Sequence, residues 1–551
     1  MRICSLLLSG FLLIGELSAQ TKLSRADRKS IQEMSQHLAV LAHDSMEGRR
    51  AGTPGESRAG LYISTYFESL HLEPKGQNGS YLQTFDIPDG RKLSKTSFLR
   101  INGKDLSYGS DFSLLSTSGN GVLYDKPAQI GINTRNQAWI SNISTTLADH
   151  SANPHFDLQA ALTEQSEKAA KNGALALLFY GAEDESKLPV FDPKYNGMVA
   201  PIPVILLSDQ GFRKIRNDPD SIWKLSLDIV IEKSYRKAQN VIAYLDRKAP
   251  YTFIIGAHYD HLGRGEDGNS MIRSGPLDIH NGADDNASGT TTLLDLAKRF
   301  KSNPAYNTFN ILFIAFSAEE LGLLGSRYFT ENPTIPLQKV SAMINMDMVG
   351  RLQDSSQTIT IGGYGTSPLW KTIFDKVDAE GIQIKFDSSG TGPSDHTSFY
   401  RKDIPVLFFF TGLHTDYHKP SDDADKINTH GMLKVSKMIQ HILAIADNKN
   451  KLPFTRTREQ QSSTNARFTV SMGIMPDYSF SGNGVRIDGV SDGRPAKKIG
   501  ILAGDILVEL GTYKVSSVES YMQALSKFKK GDTARVVVLR NGNAITYEIT
   551  F

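Results

Sequence analysis

Cysteine is almost missing: the 551-residue chain carries one, Cys4. Disulfide bonds and cysteine-ligated zinc are therefore both excluded. An excess of charge is missing too. The 61 basic and 59 acidic side chains leave a net +2, which gives no electrostatic footprint for nucleic acid or an anionic membrane. Past the first residues there is no long hydrophobic run, and no stretch reaches the ~20 apolar residues that a bilayer span needs. What is left is a globular composition, 40% hydrophobic and 22% charged, on a chain too long for one core and suited to about three domains.

The first residues have the make-up of an export signal. Arg2 supplies a positive start, residues 3–15 are apolar, and Leu17-Ser18-Ala19 offers a small-residue cleavage site. Residues 1–19 are read as a signal peptide, which makes the mature protein exported, periplasmic or secreted, and free of cysteine. Cys4 stands too near the start to serve as a lipidation site.

Beyond the signal, residues 24–43 have helical spacing (Ile31, Met34, Leu38, Leu41). The run DSMEGRRAGTPG is broken by glycine and proline, and residues 59–70 turn helical again. Residues 91–235 carry short strand-like runs at 97–101, 121–124, 174–180 and 204–207, with helical spacing at 158–170. They read as an inserted β-rich domain. Residues 240–446 alternate apolar strands (241–245, 252–256, 309–316, 340–346, 406–410) with helices (289–300, 320–329, 368–379, 433–446). That alternation predicts an α/β fold, a mixed and largely parallel sheet sandwiched by helices. Residues 24–90 and 236–450 would build it together. Residues 451–466 are polar and read as a linker. Residues 467–551 form a separate small domain with a hairpin turn at Asn541-Gly542.

Acidic residues and histidines gather where the apolar strands stop. His258, Glu319 with Glu320, Asp347 and, after a loop, His418 each follow such a run, and Asp285 precedes the helix at 289. In open α/β sheets ligands bind beyond the carboxyl ends of the strands. Two imidazoles and three carboxylates carry −3, which two divalent ions and one bridging hydroxide neutralise. A single zinc would need only three protein ligands, leaving two surplus. Asp260 lies two residues after His258 and can reach the nitrogen that does not bind metal. Glu319 and Glu320 are adjacent and point apart, so one can bind metal while the other serves as general base.

These residues stand in motifs that resemble the M28 family of zinc aminopeptidases: HYDHLG (258–263), GADDNASG (282–289), SAEELGLLGS (317–326), NMDMVG (345–350) and DYHKPSDD (416–423). DSMEGRRAGTPG is similar to that family's N-terminal segment. The resemblance implies that His258 and Asp347 hold one Zn2+, that Glu320 and His418 hold a second, and that Asp285 bridges them. It makes Asp260 the residue that orients His258, Glu319 the general base, and Tyr417 a group that polarises the scissile carbonyl. It also implies a cis peptide after Asp285. KNGALALLFY (171–180) and IPVILLS (202–208) in the insert resemble a protease-associated (PA) domain. The C-terminal unit resembles a PDZ domain, with MGIM from Met472 to Met475 where a peptide's terminal carboxylate would bind.

The expected activity is hydrolysis of N-terminal residues from peptides by a metal-bridged hydroxide, with Glu319 as base. A metallo-carboxypeptidase has a similar site and stays open, as does a catalytically inactive peptide-binding scaffold. The full set of five ligands argues against a single-metal glutaminyl cyclase.

Overall fold

Seven consecutive buried residues form the Thr252–His258 strand, and a strand that apolar must be covered on both faces. The structure, a computed structural model, describes residues 23–144, 158–182, 184–195, 199–216, 222–272, 277–303, 308–446, 451–457, 470–476, 480, 482–490, 494–516 and 518–551. The expected signal peptide lies outside the described residues. Among those described, no helix is long and apolar enough to cross a membrane.

Four strands run parallel at the centre of a nine-stranded sheet, in the order Asn310–Phe316, Thr252–His258, Val340–Met346, Val406–Phe410. Ile231–Leu245 flanks them antiparallel on one side and Thr358–Gly362 on the other. Alternate side chains go to opposite faces, as the pleat demands. Phe253, Ile255 and Ala257 join a core with Leu38, Ile63, Leu293 and Ile439. Ile254 joins another with Leu312, Met343, Phe329 and Phe399. The first core is covered by the helices Arg25–Leu41, Pro54–Ser69, Gly289–Ser302 and Thr429–Ile445. The expected largely parallel sandwich is thus the observed one.

Several boundaries differ from expectation. The helix expected from residue 320 begins at Leu324, because Ala318 (φ 55) and Leu323 (φ 59) take left-handed conformations. Glu319 and Glu320 therefore sit on a loop rather than a helix. The helix expected at 368–379 is only Leu369–Phe374. The insert comprises two four-stranded sheets, built around Trp223–Ile229 and Val204–Leu207, that share a core through Leu99, Leu225, Leu178 and Ile205. Its expected limits at 91 and 235 fall inside strands. Leu82–Leu93 pairs with Ile231–Leu245 without interruption from Val241↔Leu82 to Ile231↔Leu93 apart from one bulge. Part of the expected linker is also structured: Leu452 is buried, and Thr455 N donates to Thr366 O. Residues 458–469 lie outside the described set.

In the C-terminal unit, Thr533–Arg540 and Asn543–Thr550 form the expected hairpin. Its two turn residues, Asn541 and Gly542, both have positive φ (51 and 82), as the favoured two-residue turn requires.

His37 couples this packing to pH. It projects from the Arg25–Leu41 helix, its Nδ1 lies 2.7 Å from Tyr62 Oη, and its ring is edge-on to Tyr66 at 4.5 Å. Burial lowers its pKa from 6.5 to about 4. The fold thus keeps His37 neutral, while the unfolded chain takes up the proton first as pH falls. Its contribution is full above 6.5 and disappears toward 4, on the order of 3 kcal/mol. His37→Gln is expected to flatten the fall of Tm between pH 7 and 4 relative to wild type, as followed by calorimetry.

Candidate metal centre

The ends of the parallel strands deliver the predicted residues to one place. His258 is the last residue of its strand, and Asp347 follows Met346 directly. Asp285 lies in the Ala283–Ser288 turn, with a cis peptide to Asn286. Asn286 fastens that turn to the neighbouring strand end: its Nδ2 donates to Met346 O (2.9 Å), and its Oδ1 accepts from Gly289 N (2.9 Å). Gly282 (φ 53) opens the turn, and a Cβ there would meet Asp285 O at 2.1 Å, so no other residue fits. Asp422 holds the turn from outside, its Oδ2 accepting from Asp284 N (2.8 Å) and Asp285 N (3.1 Å). Arg351 Nη2 pairs with Asp422 Oδ1 at 3.2 Å.

Asp285 faces two ways. Its Oδ1 lies 3.4 Å from His258 Nε2, which is also 3.2 Å from Asp347 Oδ1. Its Oδ2 lies 3.3 Å from His418 Nε2, which is also 3.2 Å from Glu320 Oε2. Glu319 points to the first group, its Oε2 3.9 Å from His258 Nε2. Asp260 secures both glutamates, accepting from Glu319 N (3.1 Å) and Glu320 N (3.4 Å). It also lies beside His258 Nδ1, its carbonyl oxygen at 3.2 Å and its Oδ1 at 3.7 Å. Asn269 O faces His418 Nδ1 at 2.9 Å.

This donor set fits a pair of cations. One imidazole nitrogen carries at most one hydrogen and cannot satisfy several carboxylates, yet His258 Nε2 faces three and His418 Nε2 two. Ligand atoms of His258, Asp285 and Asp347 lie within 4.8 Å of one another, as do those of His261, Asp285 and Glu320. No lysine or arginine among the described residues forms an ion pair with Asp285, Glu319, Glu320 or Asp347. All donors are nitrogen or oxygen, the set that suits zinc.

Electrostatics point the same way. Burial and the neighbouring Glu320 push the Asp285 pKa up. Burial, with Asp347 and Glu320 nearby, pushes Glu319 well up. Burial would raise Glu320 too, but His418 and His261 hold it well below the usual carboxylate range. Burial would lower His258 and His418, yet Asp347 and Glu319 raise the first and Glu320 the second. The cluster attracts positive charge, and a divalent ion supplies it while displacing the imidazole protons.

His261 is a site residue that sequence reasoning missed. Its Nδ1 lies 2.7 Å from Glu320 Oε1 and 3.9 Å from Asp285 Oδ2, so it competes with His418 for the second group. The 2.7 Å contact has the length of a direct hydrogen bond, whereas His418 stands almost equally far from Asp285 and Glu320, as a shared-cation ligand does. We assign His261 to orienting Glu320. The signal lay in HYDHLG, which holds both histidines. Tyr417 stacks on His418, ring centres 3.9 Å apart. His414 Nε2 faces Asp284 Oδ2 at 3.2 Å, and His396 stacks on Phe408 at 4.4 Å.

A model described as peptidase family M28 matches residues 240–443, and a PDZ domain model matches residues 458–551. Aminopeptidase YwaD of Bacillus subtilis (strain 168) is 26% identical over 438 residues, 76% of this chain and 86% of that protein. Leupeptin-inactivating enzyme 1 of Streptomyces exfoliatus is 33% identical over 168 residues, 29% of this chain and 37% of that protein. The solved structure of BSAP, a zinc aminopeptidase from Bacillus subtilis, covers 79% of this chain and 97% of its own at 21% identity, with a TM-score of 0.42.

Asp422 fastens the Asp285 turn through backbone amides alone. Asp422→Ala is expected to weaken divalent-metal uptake about tenfold or more, measured by competition with a chromogenic chelator.

Proposed function

The chain carries a peptidase family M28 domain and a C-terminal PDZ domain, and on that premise we propose that it is an exported zinc aminopeptidase removing N-terminal residues from peptides. The observation that carries the reading is the divided Asp285 carboxylate, one oxygen toward His258 and the other toward His418. His258, Asp285 and Asp347 would hold one zinc ion, and Asp285, Glu320 and His418 the other. When bound, the ions supply Lewis-acid polarisation and bring the pKa of a water near neutrality.

The remaining work falls to the chain. Glu319 takes a proton on its carboxylate from the attacking water and passes it to the nitrogen of the leaving amine. Its burial disfavours the charged carboxylate and so favours uptake of that proton. Asp260 fixes the backbone that aims Glu319 and Glu320 apart. To Tyr417, stacked on His418, we assign the steadying of the substrate carbonyl.

The other units suit peptide handling. Ile474–Pro476 is the end strand of its sheet, paired with Val485–Val490 along one edge. As the end strand of that sheet among the described residues, it suits an added peptide strand whose terminal carboxylate meets the Met472–Met475 segment, where Gly473 (φ 82) leads into the strand. The insert, with strands at Ala176–Tyr180 and Val204–Leu207, is assigned as PA-like. Export is supported by the composition of residues 1–19.

Glu319→Gln is expected to retain both metal ions by elemental analysis while losing about 10^3-fold in kcat. Asp285→Ala is expected to lose both ions, and near-normal turnover by either variant contradicts the assignment. Peptides with a free N-terminus are expected to be cleaved from that end, and their N-acetylated forms to resist, as followed by mass spectrometry. Release of C-terminal residues from the blocked peptides would make the enzyme a carboxypeptidase instead.

A further inference from the structure

Glu56 is a buried charge to which the mechanism gives no role. It lies in the first turn of the Pro54–Ser69 helix and is 0% exposed. Its Oε2 accepts from Gly52 N at 2.7 Å. Its Oε1 accepts from Gln239 N at 3.3 Å and from Ser317 Oγ in a short contact, and it lies 3.1 Å from Tyr259 Oη, whose single hydrogen it shares with Gln239 O at 2.7 Å. No cation among the described residues pairs with it. Burial pushes its pKa up to about 7 despite these hydrogen bonds. A buried carboxylate without a cation carries a desolvation cost that its hydrogen bonds must offset.

The donors show what else it holds together. Tyr259 separates His258 from Asp260, and Ser317 lies two residues before Glu319. The strands behind them are parallel neighbours, in register to His258↔Phe316, and one further bond, Tyr259 N to Phe316 O (2.9 Å), closes the ladder. Beyond it the two chains separate, one toward Asp260 and the other toward Glu319 and Glu320. A single Glu56 oxygen bonds both hydroxyls at that fork.

We propose that Glu56 is a positioning residue of the metal centre, clasping the loop of His258 and Asp260 to the loop of Glu319 and Glu320 through Tyr259 and Ser317. The inference rests on the metallopeptidase reading. It gives the N-terminal segment a role: Glu56 sets the spacing between groups assigned to the two ions.

The test compares full-length wild type with Glu56→Ala and Glu56→Gln. Four readouts are taken: zinc affinity by chelator competition, the visible spectrum of the cobalt-substituted protein, kcat and KM, and Tm. Glu56→Ala is expected to bind zinc about tenfold or more weakly, to change the cobalt spectrum, and to lower kcat with KM within about twofold. Glu56→Gln is expected to recover most of this. Its amide oxygen accepts from Gly52 N, and its amide nitrogen donates to Ser317 Oγ and to Tyr259 Oη, whose hydrogen then goes to Gln239 O at 2.7 Å; the long contact with Gln239 N (3.3 Å) is the one it gives up. Glu56→Ala with a lowered Tm but wild-type zinc affinity and cobalt spectrum would overturn the proposal and leave a brace of the fold. Should Glu56→Ala not fold, Ser317→Ala removes a single contact and is expected to weaken zinc binding about fivefold; no change there also overturns it. Wild type that binds no zinc would sink the metallopeptidase reading itself.

Discussion

Four carboxylates crowd together out of water with no lysine or arginine paired to them among the described residues, and the rest of the structure answers to that arrangement. Asp285, Glu319, Glu320 and Asp347 come from three separate turns, at the ends of two central strands and ahead of the Gly289–Ser302 helix. Taking one unpaired charge into a protein interior costs several kcal/mol. Four together are sustainable only beside imidazoles, hydrogen-bond donors and bound cations. The parallel sheet provides rigid starting points for the loops that bring them in. Asn286, Asp422 and Asp260 then keep the loops from drifting apart under mutual repulsion. Arg49 lies just beneath, its buried guanidinium donating to Tyr259 O (2.7 Å), Asn281 O (2.7 Å) and Gly282 O (3.0 Å). It ties the His258 loop to the Asp285 turn and adds a positive charge close to both.

The site was legible in the sequence because its chemistry sits where periodicity ends. An apolar strand run followed at once by His258, Glu319 or Asp347 is conspicuous, since nothing in packing favours those residues there. His261 escaped for the opposite reason. It shares a motif with His258, and residue type alone cannot tell a metal ligand from a hydrogen-bond partner of Glu320. The late start of the helix at Leu324 escaped as well. The leucines of SAEELGLLGS have helical spacing, but the backbone departs from helical angles at Ala318 and again at Leu323, holding Glu319 and Glu320 out of a regular helix. The limits of the insert were blurred because Leu82–Leu93 and Ile231–Leu245 carry on through them as a single ladder. Pro88 and Gly90 stand at the border, but they mark only a bulge, and the two strands continue past it.

Loop anchoring shows how magnitude separates similar contacts. Asp267 lies two residues before Asn269, whose carbonyl faces His418, so its attachment bears on a residue assigned to the second ion. Three cations reach Asp267. Arg50 makes a two-point contact (2.7 and 2.8 Å), with both side chains at 16% exposure or less. Arg236 approaches at 3.4 Å. Lys194 of the insert reaches Asp267 Oδ1 at 3.0 Å and Glu266 O in a short contact, and is 46% exposed. Two-point guanidinium pairs out of water are the strong kind, while exposed lysine pairs contribute about 0–1 kcal/mol. The loop is therefore held chiefly by Arg50, next to Arg49 in the same N-terminal run. The insert touches the loop without governing it. The segment around Arg49, Arg50 and Glu56 carries no group assigned to metal, yet it sets the frame in which those groups meet. A glycine- and proline-broken stretch suits that task, because charged side chains must be aimed into the interior from a backbone that is free to turn.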